Sequence, residues 1–120
     1  MKIAPKGGMH KPLRSDIHEQ VLELVTLARP LVAAIQRKDR DLASQVRRAL
    51  SSVGLNVAEA FGNASGNARL RFESARGSLY EAQAGLRMAV AWGYFTQQQA
   101  SAALAVLDNL GGRIYGLSRR

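Results

Sequence analysis

Apolar residues recur along this chain at alternating steps of three and four, in four blocks separated by short polar breaks. In the first block, Ile17, Val21, Leu24, Ala28, Leu31 and Ile35 keep to one face of a helix, the spacing of an a/d seam. Asp16 followed by Glu19 reads as a capping box at its start, and Pro30 inside it predicts a kink. The segment QRKDRD (36–41) is the first break, with Asp39 or Asp41 placed to cap a second helix over about Leu42 to Phe61. That helix turns Val46, Ala49, Leu50, Val53, Val57, Ala60 and Phe61 inward. GNASGN (62–67) reads as a stop and a turn, with Gly62 as a left-handed C-cap and Ser65 or Asn67 capping the next helix. The third seam is Phe72, Ala75, Leu79, Ala82, Leu86 and Ala89, closed by Gly93. Thr96 with Gln99 makes a second capping box, followed by Ala100, Ala103, Leu104, Leu107, Leu110, Ile114 and Leu117.

No window alternates with period two between hairpin turns. Four amphipathic helices on short loops predict an all-α, up-down-up-down antiparallel four-helix bundle over residues 16–120. Residues 1–15, with three Gly or Pro breaks before Pro12 and no periodicity, read as a flexible basic arm. Beside its core seam the third helix carries another line, Leu70, Ser74, Gly77, Glu81, Ala84 and Met88. Gly inside a helix costs roughly 0.5–1 kcal/mol relative to Ala, so Gly77 and Gly85 imply close approach of a neighbouring helix, within the bundle or between subunits. Gly77 and Ser78 are the expected packing residues. Helix four adds Ala102, Ala105, Val106 and Gly112 off its own seam. More small and apolar surface exists than four helices hide, which argues for a homo-oligomer.

Charge changes the picture most. Seventeen Lys and Arg face nine Asp and Glu over 120 residues, giving +8 and a pI near 10.9; thirteen of the cations are Arg. The planar guanidinium fork suits phosphate, so this balance favours a polyanionic partner, with nucleic acid first and an anionic membrane second. The competing reading is that the charge serves only solubility. There are no cysteines, hence no disulfide framework or thiolate zinc site, and a reducing compartment fits. The basic start lacks an apolar signal core and no apolar run approaches the roughly 20 residues of a membrane span. A cytoplasmic protein without a membrane association is the expectation.

Reactive constellations are scarce. A di-iron bundle needs Glu-x-x-His repeats, and the two histidines are His10, in the arm, and His18. No P-loop, nucleophile elbow or dinucleotide fingerprint occurs; no catalytic residue, metal or cofactor is assigned. Ser52, Asn56 and Glu59, at steps of four and three, edge the apolar face of helix two. With Tyr80 and Glu81 they read as an interior polar network, Arg76 being a further candidate partner, rather than as an acid–base pair. Two basic groups stand out: Arg47 and Arg48 in helix two, and Arg69, Arg71 and Arg76 early in helix three, which an antiparallel bundle sets at different heights. The arm lysines, Arg113, Arg119 and Arg120 gather at the termini. These arginines are the candidate nucleic-acid contacts. Aromatics are few and mostly fall at seams or helix ends, so stacking on single-stranded bases is not expected.

The stretch SQVRRALSSVGLNVAEAFGNAS (44–65) followed by RFESARGSLYEAQAGLRMAVAWGYF (71–95) resembles the bacterial 23S rRNA intervening-sequence proteins. Asn56, Ala58, Glu59, Phe72, Gly77, Ser78, Glu81, Gly93 and Tyr94 fall in register with that family's pattern; Gly54 stands where it often has Pro, and Ala60 where it usually has Gly. The resemblance implies a four-helix bundle assembling as a homopentameric barrel, with no catalytic residues to carry over. The tail VLDNLGGRIYGLSRR is similar to the last helix of a sister group, the accessory variability determinants of diversity-generating retroelements, basic pentamers that bind nucleic acid and a reverse transcriptase. The expectation is a non-enzymatic basic pentamer that binds RNA or DNA as an accessory to such an enzyme; the alternative is a protein–protein scaffold.

Overall fold

In the computed structural model, residues 10–62 and 67–120 are described, and they form four helices: α1 (His10–Gln36), α2 (Arg40–Gly62), α3 (Ala68–Trp92) and α4 (Gln97–Ser118). Each helix packs on its chain neighbours, and α4 returns to α1. Cross-helix contacts set the directions. Ring centroids of His18 near the start of α1 and Phe61 at the end of α2 are 6.0 Å apart, and Phe61 meets Phe72 at the start of α3 edge-on at 5.4 Å. Arg113 late in α4 reaches Gln20 early in α1. All four helices are therefore antiparallel to their neighbours, and one end of the bundle collects the start of α1, the end of α2, the start of α3 and the end of α4.

The core is built from the four seams. Ile17, Leu24, Ile35, Val53, Val57, Leu86, Leu107, Leu110 and Ile114 are fully buried, and the remaining seam residues of α1 and α3 are buried too. Phe61, Leu104 and Leu117 pack against this cluster while partly exposed. Ala43, Gly85, Phe95 and Ser118 join the interior without having been marked by the three/four spacing.

Local caps close three of the helix ends. Asp39 Oδ1 accepts from the Leu42 N–H at 3.0 Å and caps α2. Gly93 ends α3 at φ 82°, the conformation that favours Gly, with its N–H on Val90 O and the Tyr94 N–H on Ala89 O, a Schellman motif. Thr96 and Gln99 form the capping box of α4, at 3.1 Å and 2.8 Å. The Tyr94 hydroxyl donates to Asp39 Oδ2 at 3.4 Å, tying the α3–α4 turn to the α1–α2 turn. Burial first, and the Asp39 carboxylate second, push the Tyr94 pKa above its ordinary value.

Several expectations are corrected. α1 begins at His10, so 10–15 are helical rather than arm; residues 1–9 and the Ser65 cap lie outside the described residues. Asp16 is consequently inside α1 and caps nothing: its carboxylate accepts from Arg113 Nη2 at 2.7 Å. Gly62 is the last residue of α2 without a positive φ, and Asn67 has helical backbone angles at the start of α3. The two helical glycines of α3 divide. A Cβ on Gly85 would stand 2.5 Å from Val46 Cγ2, so Gly85 permits the close α2–α3 approach, whereas at Gly77 nothing lies within 4 Å. Among the described residues no helix is long and apolar enough to cross a membrane.

Candidate nucleic-acid interface

The polar strip of α2 resolves into two unlike halves. Ser52 Oγ and Ser78 Oγ share a hydrogen bond of 2.8 Å, and Asn56 Nδ2 donates to Ser52 O at 2.9 Å and to Ser52 Oγ at 3.0 Å. This half-buried node crosses the α2–α3 seam where two small hydroxyls let the backbones come near. Glu59 does not belong to it. Its carboxylate pairs with Arg71 Nε at 3.2 Å on the surface, both side chains about half exposed. Tyr80 and Glu81 are likewise exposed in the chain and stand outside the node. The five-membered interior network expected from the sequence is thus Ser52, Asn56 and Ser78, because the register turns positions 59, 80 and 81 to the rim of the helices rather than into the seam.

The arginines occupy two regions. Arg47 and Arg48, exposed on the first half of α2, stand away from the rest. Arg47 and Arg29 edge a groove of about 440 Å³ between α1 and α2, floored by Val25, Ala28, Val32 and Leu50. The antiparallel turn brings Arg69, Arg71 and Arg76 of α3 to the same end as Arg113, Arg119 and Arg120 of α4. Their environments differ. Arg113 donates to Asp16 Oδ2 and to Gln20 Oε1, each at 2.7 Å, while Gln20 Nε2 reaches Asn109 Oδ1 at 2.6 Å. It clamps α4 to α1, so its guanidinium is spent on the fold rather than offered to a ligand. Arg69 and Arg120 are exposed.

Between these lies a cluster that the sequence did not reveal. The Arg76 guanidinium sits 4.7 Å from the centroid of Tyr115 and 5.7 Å from that of Tyr80, and Arg119 lies 5.2 Å from Tyr115 and donates to its hydroxyl at 2.8 Å. Arg76 Nη1 pairs with Glu73 at 2.9 Å; its Nε is buried and has no hydrogen-bond partner among the described residues. The Tyr80 hydroxyl foremost raises the Arg76 pKa further; burial opposes it as the next largest effect, and Glu73 adds to the rise. Most aromatics do lie at seams or helix ends, but exposure is high at three of them: Tyr80, Trp92 and Tyr115 are 51%, 65% and 42% exposed. The missed signal was spacing across helices, since Arg76/Tyr80 and Tyr115/Arg119 are each i, i+4 pairs on facing stripes of α3 and α4.

Among the described residues no group of three His, Cys, Asp or Glu is placed to hold a metal ion. Geometry defines a small basic four-helix bundle with an arginine–tyrosine cluster at one end. The model of the 23S rRNA-intervening sequence protein family matches residues 15–116, and the chain belongs to that family. Its fold is similar to the crystal structure of a protein of unknown function from the S23 ribosomal protein family of Bacteroides thetaiotaomicron. That likeness has a TM-score of 0.78 over 87% of this chain and 99% of the other, at 16% identity. No curated protein matches it in sequence.

Proposed function

We propose that this chain is a non-enzymatic nucleic-acid-binding protein that works as a homopentamer, an accessory to a reverse transcriptase. The observation that carries nucleic-acid binding is the gathering of Arg69, Arg71, Arg76, Arg119 and Arg120 at one end of a chain of net charge +8. Cations on the ends of two rigid helices keep fixed spacing, so their field adds at a phosphate backbone instead of being spread over a flexible surface. Self-association multiplies that field. Support for it comes from apolar side chains left uncovered in the chain: Leu22 and Leu55 beside the α1–α2 groove, and Leu70 and Met88 on the small-residue line of α3 that includes Gly77. Uncovered apolar side chains on three of the four helices give further copies of the chain something to bury. The reverse-transcriptase partnership rests on the resemblance of the α4 tail alone.

Binding of a labelled duplex is to be followed by fluorescence anisotropy between low and moderate salt. The reading requires log K to fall linearly with log salt, about 0.9 per phosphate neutralised, and to fall less steeply in Arg69→Gln/Arg120→Gln. A flat dependence, or no affinity at low salt, refutes it and leaves the scaffold reading, for which nuclease-resistant capture of a protein is the signature. Native mass spectrometry showing single chains at working concentration refutes the pentamer.

A further inference from the structure

The α3–α4 face carries a groove of about 480 Å³ whose walls are Arg76, Tyr80 and Gln83 on one side and Asp108, Gly112 and Tyr115 on the other. Three of its features are unusual for a surface that only needs to be wet. The two tyrosine rings remain 51% and 42% exposed although Arg76 stands against both and Arg119 against Tyr115 as well. Arg76 Nε is shut off from solvent and has no acceptor among the described residues. The α4 wall is cut back at Gly112, where a Cβ would meet nothing within 4 Å, so helix four presents bare backbone between Asp108 and Tyr115. Cut-back floor, flanking π-faces and cations together make a slot for something flat, polar at its edges and attached to negative charge.

We infer that this groove is a pocket for an unpaired base of a single-stranded nucleic acid, stacked on Tyr115 and Tyr80 while Arg119 holds the adjoining phosphate. The inference rests on the nucleic-acid reading above and adds to it a site that only an unpaired base enters. A base inside a duplex is covered on both faces by its neighbours and cannot enter a slot between two helices; an unpaired one offers its whole π-surface. Gln83 and Asp108 supply donor and acceptor groups for the base edge.

The test compares a fluorescein-labelled 12-nucleotide oligodeoxycytidine strand with a labelled 12-base-pair duplex, for the full chain and three variants. Tyr115→Leu and Tyr80→Leu remove the rings; Gly112→Leu keeps every ring and charge and fills the slot from a position where the fold has room. Each variant should weaken strand binding roughly tenfold, the scale of one lost base stack, with duplex binding changed less than about twofold. Equal losses on strand and duplex, or an unchanged strand affinity in Gly112→Leu, overturn the pocket while leaving general nucleic-acid binding standing. Displacement of the strand by cytidine monophosphate at equal concentration also overturns it, in favour of a mononucleotide site. An unsubstituted chain that binds neither probe removes both readings.

Discussion

Replacing Gly85 by Ala adds one methyl group at the tightest point between α2 and α3. The new Cβ would stand 2.5 Å from Val46 Cγ2 and 3.8 Å from Leu42 Cδ1, where carbon atoms normally keep about 3.5–4.0 Å. Val46 cannot swing aside: it is β-branched, confined in χ1 within a helix, and only 1% exposed. The helices must part by about 1 Å or the side chain must leave its rotamer, an overpacking cost of about 1–3 kcal/mol. Opposing it is the roughly 0.5–1 kcal/mol that Ala gains over Gly in a helix. Gly112→Ala collects that gain with no steric term, because its Cβ enters open space. The gap between the two variants is therefore the steric term alone, and at about 4 °C per kcal/mol for a chain of this size it amounts to roughly 4–12 °C in Tm. Scanning calorimetry at one fixed protein concentration measures it, since self-association makes Tm concentration-dependent. Val46→Ala should cost less in the Gly85→Ala background than alone, a coupling of about 1 kcal/mol or more. Equal Tm values for Gly85→Ala and Gly112→Ala, without coupling to Val46, would show that α2 and α3 do not meet at this spacing.

Three further substitutions separate the roles of neighbouring charges. Arg113→Gln should lower the unfolding free energy by about 1–2 kcal/mol, since it leaves Asp16 and Gln20 without their half-buried donor, whereas Arg119→Gln should change it by less than about 0.5 kcal/mol; urea titration distinguishes them, and equal effects would refute the clamp. Glu59→Ala, which breaks an exposed pair with Arg71, should cost under about 1 kcal/mol in the same titration, and a larger loss would mean that Glu59 is covered by another chain. Tyr94 has a pKa raised by folding, so the neutral phenol is the form the fold prefers. Its stabilising contribution is complete below the unfolded pKa of about 10 and is lost as pH rises through the higher folded value. The urea midpoint should therefore drop more steeply above pH 10 in the unsubstituted protein than in Tyr94→Phe, and parallel profiles would refute it.

What the sequence discloses and what it hides have one physical cause. Burial is periodic, so Ile17 to Ile35 or Phe72 to Ala89 can be assigned to a core from spacing within a single helix. Caps are local too, which is why Thr96 and Gln99 were legible. Asp16 followed by Glu19 satisfies the same local rule and fails, because nothing within four residues records that the helix had already begun at His10. The α3–α4 groove is of the second kind throughout. Arg76 and Tyr115 are thirty-nine positions apart, and their 4.7 Å contact depends on the rotation of each helix about its axis and on their relative height. A shift of one residue in α4 would turn Tyr115 through about 100° and dissolve the slot, yet leave the seam pattern readable as a bundle.

The same argument weighs the arginines. A count of +8 treats all thirteen alike, but geometry divides them by what they already hold. Arg113 is bound by two partners at 2.7 Å and Arg71 shares Glu59, whereas the Arg119 side chain meets, among the described residues, the hydroxyl and face of a tyrosine that is itself half exposed. A phosphate approaching Arg119 displaces no carboxylate, and one approaching Arg113 must compete with Asp16. Competition of that kind, rather than the number of positive charges, decides which cations reach a polyanion. Removal of Arg119 should accordingly weaken strand binding more than removal of Arg71, although both lie at the same end of the bundle.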